Sequence, residues 1–367
     1  MPAHAALGKP GKVLDRTPGG LILRIPAPGR PCLAPARPLP VAGPKNQAIS
    51  GKDRPLDVAS PPLVTGASRL KLFLALSRTP HGLLDLATPG AAALLWLGGL
   101  PPLKVTLLGL LTVFAGYTAV YALNDLVDLR ADREKLRAGG YRGSDGYLDA
   151  AMVRHPLAQG FLSLKEGLLW TGAWALVALT GAYLLNPVCA LIFLLGCTLE
   201  AVYCRMLGVS HLRTLVSGLV KTLGGVAAVF AVDPRPSPFF LLVLFLWLFF
   251  WEIGGENIPA DWHDLEEDRR WQAQTVPVRY GPEAASRLIL WSLLLSLGLS
   301  GMLLTLAPAR LSPPLAALGL TAGVFLLVLP ALRLYGTQER AQASALFNRA
   351  SYYPLAIFTV VLVSFLT

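Results

Sequence analysis

Long uninterrupted apolar runs recur along this chain and limit what it can fold into. The run from Leu288 to Ala307 contains no charged residue, and the run from Phe239 to Ile253 contains only Glu252. A bilayer core about 30 Å thick requires about 20 apolar residues per helix. Helices of soluble proteins normally carry a polar face, and these runs carry none. We therefore interpret them as membrane spans and not as helices of a large soluble protein.

The distribution of these runs predicts an all-α membrane protein. We expect a bundle of about nine transmembrane helices, with eight as the alternative count. Gly and Pro residues mark the short connections, as in the stretch from Gly98 to Pro102. The predicted spans are residues 70–98, 103–123, 163–185, 188–206, 213–232, 238–256, 285–306, 314–334 and 350–366.

Basic residues set the orientation of the predicted bundle. The formal net charge is +10, and 12 of the 32 Lys and Arg residues precede residue 79. The long loop 124–165 carries seven more, whereas the four short loops of the opposite side carry only Lys104, Arg235 and Arg310. This bias follows the positive-inside rule and does not form the basic stripe of a nucleic-acid-binding protein. We expect no nucleic-acid partner, a cytoplasmic amino terminus and, with nine spans, a carboxy terminus outside.

The amino-terminal region differs from the rest of the chain. Thirteen of the 30 prolines lie between Pro2 and Pro62, a density that disfavours helices and strands alike. We predict a disordered, basic cytoplasmic tail over residues 1–67 and a transmembrane domain over residues 68–367.

Two acidic motifs with the same spelling, D-x-x-D-L-x-x-D-R, follow the second and sixth predicted spans. On a helix, positions i, i+3 and i+7 lie within about 60° of one another, so each motif presents three carboxylates on one face. We predict that all six aspartates are catalytic and bind metal. These residues are Asp125, Asp128, Asp132, Asp261, Asp264 and Asp268.

Six carboxylates beside a membrane require compensating cations, because charge there is costly and usually functional. Mg²⁺ binds carboxylates together with phosphate oxygens, and arginine binds phosphate in a bidentate manner. We predict that the motifs hold a diphosphate through Mg²⁺, with Arg154 and Arg269 in contact with it. Asn124 would contribute a neutral oxygen or orient a ligand. Arg78 could hold an acceptor carboxylate or reach the lipid headgroups, and both alternatives stay open.

The histidines of the predicted domain show no paired spacing of the kind that binds metal. We therefore expect His81, His155, His211 and His263 not to ligate metal. His263 lies about 200° from Asp261 on a helix and would occupy the surface or support the ligands.

These motifs resemble those of the UbiA superfamily of intramembrane prenyltransferases. Residues 124–132 match its N-D-x-x-D-x-x-x-D motif, and the second motif is followed by a similar T-x-P-V stretch, Thr275–Val278, and a glycine. Residues 154–160 are similar to the family's R-P-x-x-S-G element with His155 inserted, after an insertion at 136–152. Tyr203 is similar to a family tyrosine of the fourth span.

The resemblance implies a helical bundle around a central cavity, with the motifs in a cytoplasmic cap. It implies a prenyltransferase that uses Mg²⁺ and a prenyl diphosphate donor, with Tyr203 at the substrate. The acceptor would be aromatic and quinone-precursor-like, or another lipid precursor. We expect an integral protein of the cell's inner (cytoplasmic) membrane with its active site facing the cytoplasm. A transporter or channel that binds cations at the carboxylates is the alternative, although transporter carboxylates tend to lie near the membrane midplane.

Overall fold

The computed structural model describes residues 66–137 and 152–365, and every regular element in these ranges is helical. Two of these segments, Glu252–Asn257 and Val324–Val328, are π-helical. Residues 1–65 of the predicted tail and 138–151 of the predicted insertion lie outside these ranges, and what was predicted of them stays a prediction. The helices are α1 (Gly66–Leu76), α2 (Thr79–Asp85), α3 (Ala87–Leu97), α4 (Leu103–Arg137), α5 (Leu164–Leu185), α6 (Pro187–Arg205), α7 (Arg213–Val232), α8 (Pro238–Trp251), α9 (Ile258–His263), α10 (Leu265–Arg270), α11 (Val276–Leu306), α12 (Pro313–Gly323), α13 (Leu329–Thr337), α14 (Arg340–Ala350) and α15 (Tyr353–Val363).

Eight helical segments of the described chain are long and apolar enough to cross a membrane. The predicted all-α membrane bundle is therefore confirmed, with eight such segments. They are Leu103–Arg137, Leu164–Leu185, Pro187–Arg205, Arg213–Val232, Pro238–His263, Val276–Leu306, Pro313–Thr337 and Arg340–Val363.

The region predicted as the first span, residues 70–98, forms three short helices instead of one. Arg78 adopts a left-handed conformation with φ 43°, and Pro80 lies in the first turn of the next helix. A proline lacks the backbone N–H that would continue a preceding helix. The chain bends again at Leu86, between α2 and α3. The hydropathy of this run reports that it is apolar, but not whether its helix is continuous.

The last predicted span, 350–366, begins earlier than expected, because the chain is already helical at Arg340. Arg340 and Arg349 lower the hydropathy of α14, so the apolar pattern did not predict this helix. The buried face of α14 packs against α9, where His263 Nδ1 lies 2.7 Å from Ser344 Oγ. Tertiary contacts, and not apolar composition, set the start of this segment.

The two ends of the bundle differ in their connections. At one end two short loops contact the last turn of α3: Ala309 N donates to Leu95 O at 3.2 Å, and Trp96 Nε1 donates to Asp233 Oδ2 at 3.0 Å. At the other end lie both acidic motifs. We call this second end the aspartate end.

The largest buried apolar cluster joins α8 to α11 and to the helices that follow. Trp247 and Trp251 of α8 are each 1% exposed, and Leu293 of α11 is fully buried. Small residues allow close helix packing: a Cβ placed on Gly218 of α7 would lie 2.6 Å from the Phe249 ring. Many leucines on the outer faces remain exposed, as expected of helices that face lipid.

Candidate active site

A cavity of about 640 Å³ lies between the helices and opens along most of the length of α4. Its walls are largely apolar, from Leu94 and Val105 near the short loops to Tyr203 near the other end. Five of the six predicted aspartates line the aspartate end of this cavity, namely Asp125, Asp128, Asp261, Asp264 and Asp268.

The first motif lies on one continuous helix, α4, as predicted. Asp125 and Asp132 are buried, and Asp128 is half-buried. The sixth aspartate, Asp132, joins the others through His155, whose Nδ1 lies 3.0 Å from Asp125 Oδ1 and 2.9 Å from Asp132 Oδ2. The stripe of three carboxylates therefore faces a histidine that arrives from a distant loop.

His155 lies at the site, although the sequence analysis gave it no role there and expected it not to ligate metal. Burial alone would lower the pKa of His155, but the carboxylates of Asp125 and Asp132 outweigh burial and raise this pKa to about 9. The imidazole is therefore protonated at neutral pH and acts as a cation between two carboxylates. The sequence did contain a signal that His155 belongs to the site, because it lies beside Arg154 in the segment similar to the family's R-P-x-x-S-G element.

The second motif does not lie on one unbroken helix, which corrects the expectation of a second identical stripe. Helix α9 ends at His263, Asp264 has φ −92° and ψ 10°, and α10 begins at Leu265. The backbone is irregular on both sides of α9. A π-helical segment precedes Pro259, and Asp264 serves as the N-cap of α10.

Each aspartate of the second motif pairs with a cation from a different part of the chain. Burial alone would raise the pKa of Asp264, but Arg154 outweighs burial and holds this pKa below its usual value. For Asp268, burial outweighs Lys135 and raises the pKa. The pairs are Arg213 Nη1 with Asp261 Oδ1 at 2.8 Å, Arg154 Nη2 with Asp264 Oδ2 at 2.7 Å, and Lys135 Nζ with Asp268 Oδ1 at 3.2 Å.

Of the two arginines predicted to contact a diphosphate, the structure brings only Arg154 to the cavity. Arg269 is exposed and does not line the cavity. In α10, Asp268 occupies the buried side of the helix, and Arg269, the next residue, points away from that side. Lys135 and Arg213 line the cavity instead. Lys135 follows Asp132 by three residues on the same face of α4, so the helical spacing could have identified it.

Asn124 links the first motif to its neighbours. Its Nδ2 donates to Glu200 Oε1 at 2.7 Å, and its Oδ1 accepts from Arg78 Nη2 at 3.2 Å. Arg78 Nη2 also lies 3.8 Å from Asp125 Oδ1, and Arg78 lines the cavity. Glu200 is a buried acid of α6 that the sequence analysis did not single out.

Tyr203 lies under the guanidinium of Arg213, whose Cζ is 4.2 Å from the ring centroid. Its hydroxyl accepts a hydrogen bond from Asn257 Nδ2 at 3.0 Å. The tyrosine thus lines the cavity and fixes the position of a cation that faces Asp261.

The residues of the aspartate end fit a hard divalent cation. The carboxylates of Asp125 and Asp132 both approach His155 Nδ1, at 3.0 and 2.9 Å, so their oxygens are close enough together to hold one cation. Asp261 is 8% exposed, and among the described residues its Oδ2 has no hydrogen-bond partner. Clustered carboxylate oxygens are the ligands that Mg²⁺ prefers.

Comparison with known proteins identifies relatives of two kinds. The 4-hydroxybenzoate octaprenyltransferase of Shewanella denitrificans is 30% identical over 156 residues, which are 42% of this chain and 48% of the relative. The digeranylgeranylglyceryl phosphate synthase of Thermococcus sibiricus is 28% identical over 221 residues, 60% of this chain and 72% of the relative. The chain thus matches about half the length of the first relative.

Solved structures share the fold. A UbiA homolog from Aeropyrum pernix K1, in its apo form, has a TM-score of 0.61 at 19% identity and covers 78% of this chain and 98% of its own. A UbiA homolog from Archaeoglobus fulgidus bound to DMAPP and Mg²⁺ has a TM-score of 0.58 at 19% identity, covering 80% of this chain and 99% of its own.

The model of the UbiA prenyltransferase family matches residues 86–352, a range that contains both motifs and every cation that pairs with them except Arg78. The predicted enzyme class, an integral membrane prenyltransferase, is confirmed by this match. The chain belongs to the UbiA prenyltransferase family.

Proposed function

We propose that this protein transfers a polyprenyl group from a prenyl diphosphate to an acceptor within the membrane, with Mg²⁺ held by the two aspartate motifs. The observation that carries the proposal is the convergence of both motifs, 136 residues apart in sequence from Asp125 to Asp261, at one end of one cavity. The Archaeoglobus homolog bound to DMAPP and Mg²⁺ supports the donor class and the cofactor. One curated relative is named an octaprenyltransferase, which supports transfer of a long chain.

Three cations at the aspartate end, Lys135, Arg154 and Arg213, suit the binding of a diphosphate. Arginine and lysine form strong charge-assisted hydrogen bonds with phosphate oxygens. In the structure they pair with aspartates, so they already lie where negative charge collects. When bound, Mg²⁺ would stabilise the charge that develops on the leaving diphosphate. We assign all six motif aspartates as its ligands, with Asn124 and Tyr203 as residues that orient their neighbours.

The apolar part of the cavity suits the remaining chemistry. As the allylic carbon–oxygen bond breaks, its electron pair leaves with the diphosphate and the carbon becomes electron-poor. The apolar walls exclude water that would otherwise capture this carbon. The rings of Tyr121 and Tyr203 line the cavity and can stabilise positive charge through their faces.

The distribution of basic residues supports the proposed location, the inner (cytoplasmic) membrane with the active site toward the cytoplasm. The loops and helix termini of the aspartate end carry basic residues, including Arg205, Arg270, Arg279 and Arg340. The loops of the opposite end carry few. Positive charge of this distribution is typical of cytoplasmic loops. A transporter or channel is not favoured, because the family is one of enzymes and the aspartates lie together at one end of the cavity.

The test is metal-dependent release of pyrophosphate from labelled geranylgeranyl diphosphate by the purified protein in nanodiscs of a native membrane-lipid extract, which supplies the acceptor that the transfer requires. We expect Asp128→Asn and Asp264→Asn each to lower the rate by about 100-fold or more, since groups that stabilise developing charge contribute about this much. Matched controls are Glu134→Gln on α4 and Glu266→Gln on α10, both exposed, which should retain wild-type rates. Full turnover in either aspartate variant would remove the basis for the metal-site assignment.

A further inference from the structure

A second group of ionisable side chains lies along the same cavity, and its polar atoms take no part in the mechanism above. We call it the inner cluster. All its members except Asp85 line the cavity. The members are His81, Asp85, Lys221, Glu252 and Glu256, together with the hydroxyl groups of Tyr117 and Tyr121.

The inner cluster lies deeper in the bundle than the aspartate motifs. Tyr121 precedes Asp125 by one turn of α4, a helix that runs toward the aspartate end. Lys221 follows Arg213 by about 12 Å along α7, which runs away from that end, at 1.5 Å per residue. A prenyl chain whose diphosphate is held at the motifs must extend into this region. The inner cluster is therefore placed near the reacting carbon.

Lys221 forms the centre of the cluster. Its Nζ lies 2.9 Å from Asp85 Oδ1, 2.8 Å from Glu256 Oε2 and 3.2 Å from the hydroxyl of Tyr121. His81 Nε2 lies 3.4 Å from the same ammonium. Although His81, Asp85 and Glu256 have the mutual distances of a metal-binding group, the ammonium already provides the cation that these carboxylates need. A second metal site here is not favoured.

Four polar atoms of the cluster have no hydrogen-bond partner among the described residues. They are Glu256 Oε1, Glu252 Oε2, the hydroxyl oxygen of Tyr117 and His81 Nδ1. Glu256 is 3% exposed and Glu252 is 6% exposed, so water from the surface does not satisfy them. Glu252 Oε2 is 4.0 Å from Lys221 Nζ, an ion pair beyond hydrogen-bond distance. Buried polar atoms normally have partners, and ionisable groups inside a membrane are usually functional.

The charges restrict what can bind there. Lys221 is held directly by Asp85 and Glu256, and Glu252 lies 4.0 Å from its Nζ, so its positive charge is already balanced within the cluster. A ligand group with an anionic charge would gain little attraction from it. A ligand group with O–H or N–H donors would satisfy the unpaired carboxylate oxygens.

We infer that the inner cluster binds the acceptor substrate, and that the acceptor presents a hydroxyl- or amine-bearing head group to it. The inference rests on the proposed function and specifies the acceptor class. Glu252 and Glu256 accept hydrogen bonds from the head group, and the Tyr117 hydroxyl supplies a further polar contact. Arg78, whose Cζ lies 6.0 Å from the Tyr121 ring centroid, is a cation outside the cluster that lines the same cavity and can pair with an anionic group elsewhere on the acceptor.

The cluster also completes the proton balance of the transfer. A lone pair of the acceptor oxygen or nitrogen forms the bond to the allylic carbon, while the carbon–oxygen bond to the diphosphate breaks and its electron pair leaves with the diphosphate. The acceptor then loses the proton of its O–H or N–H. Glu256 receives this proton at Oε1, the oxygen that has no partner among the described residues.

Binding of small amphiphiles tests the inference without any prenyl diphosphate. The probes are tritiated 1-O-decylglycerol, which carries two hydroxyls, and decanoate as a competitor with the same chain length and an anionic head. Protein in nanodiscs is measured against empty nanodiscs. We expect saturable binding of the glycerol ether, and no competition by decanoate at equal concentration.

Tyr117→Phe is the most informative variant, because its hydroxyl has no partner in the described protein and its loss breaks no protein hydrogen bond. We expect its affinity for the glycerol ether to fall about 3- to 10-fold, with an unchanged unfolding midpoint. Glu256→Gln should weaken binding at least as much. The controls are Tyr183→Phe and Glu283→Gln, whose side chains are exposed.

Wild-type affinity in both Tyr117→Phe and Glu256→Gln, or equal competition by decanoate, would overturn the inference. The outcome is separable from that of the proposed function. Failed binding with intact metal-dependent pyrophosphate release would reject only the inner cluster as the acceptor site. Intact binding without any pyrophosphate release would reject prenyl transfer, and with it the acceptor role of the bound molecule.

Discussion

The buried ion pair between Arg213 and Asp261 tests how charge is balanced at the aspartate end. Arg213 Nη1 lies 2.8 Å from Asp261 Oδ1, and the two side chains are 7% and 9% exposed. Arg213→Met retains the apolar stem and removes the charge, which leaves a buried carboxylate whose other oxygen already has no partner among the described residues. Breaking one side of a buried pair costs about 3–5 kcal/mol. We expect a loss of stability of this size.

The matched control is Arg287→Met, which breaks an ion pair of similar length in solvent. Arg287 Nη2 lies 2.7 Å from Glu283 Oε1, but these side chains are 55% and 70% exposed. Exposed pairs of this kind on a helix contribute about 0.3–0.5 kcal/mol. The free energy of unfolding is measured by denaturant titration in mixed micelles with EDTA, so that no divalent cation can replace the arginine.

Two further measurements separate charge from packing. The double variant Arg213→Met with Asp261→Asn should recover much of the lost stability, because no unpaired carboxylate remains. Adding Mg²⁺ should reduce the gap between wild type and Arg213→Met, since another cation then compensates Asp261. Equal destabilisation by Arg213→Met and Arg287→Met in EDTA would refute the argument that burial makes this pair important.

Three other substitutions have defined outcomes. His155→Asn should lower the Mg²⁺ concentration for half-maximal pyrophosphate release several-fold, because the imidazolium no longer competes with Mg²⁺ for the carboxylates of the first motif. A rise in that concentration would contradict this and indicate that His155 ligates the metal. Arg154→Gln should raise the donor KM about 10-fold or more, as expected for a lost charged hydrogen bond, while Arg269→Gln should leave steady-state kinetics unchanged. Gly218→Ala should cost about 1–3 kcal/mol in the micelle titration because a neighbouring ring blocks its Cβ. Gly172→Ala, which meets open space, should be neutral or stabilising.

Much of the fold was predictable because hydropathy and helical spacing are local properties. The apolar runs identified the bundle, and the spacing of Asp125, Asp128 and Asp132 placed them on one face of a single helix. Local properties also explain the errors. Arg78 breaks the first predicted span through its left-handed backbone, which composition does not report. The start of α14 depends on packing against α9.

The cations of the site were harder to predict because their partners are distant in sequence. Lys135 and Asp268 are 133 residues apart, and Arg154 and Asp264 are 110 apart. Nothing in either local sequence selects the partner, so Arg269, adjacent to the second motif, was chosen before Arg213. The inner cluster was overlooked for the same reason. Asp85 and Lys221 occur singly and the two glutamates lie in a third segment, Glu252–Asn257, so only the fold brings them together.

The span that carries the second motif explains why two copies of one sequence pattern form different local structures. Its π-helical segment, Glu252–Asn257, interrupts the regular helix just before the motif. Such segments often mark functional sites. Here Glu252 and Glu256 both face Lys221, while Asp261, five residues further, faces Arg213. One segment therefore supplies carboxylates to the inner cluster and to the metal-binding motif. The first motif remains on a regular helix, α4, which supplies tyrosine hydroxyls but no carboxylate to the inner cluster. We expect that substitutions within 252–257 affect acceptor and donor sites together, because the backbone that presents one set of carboxylates also positions the other.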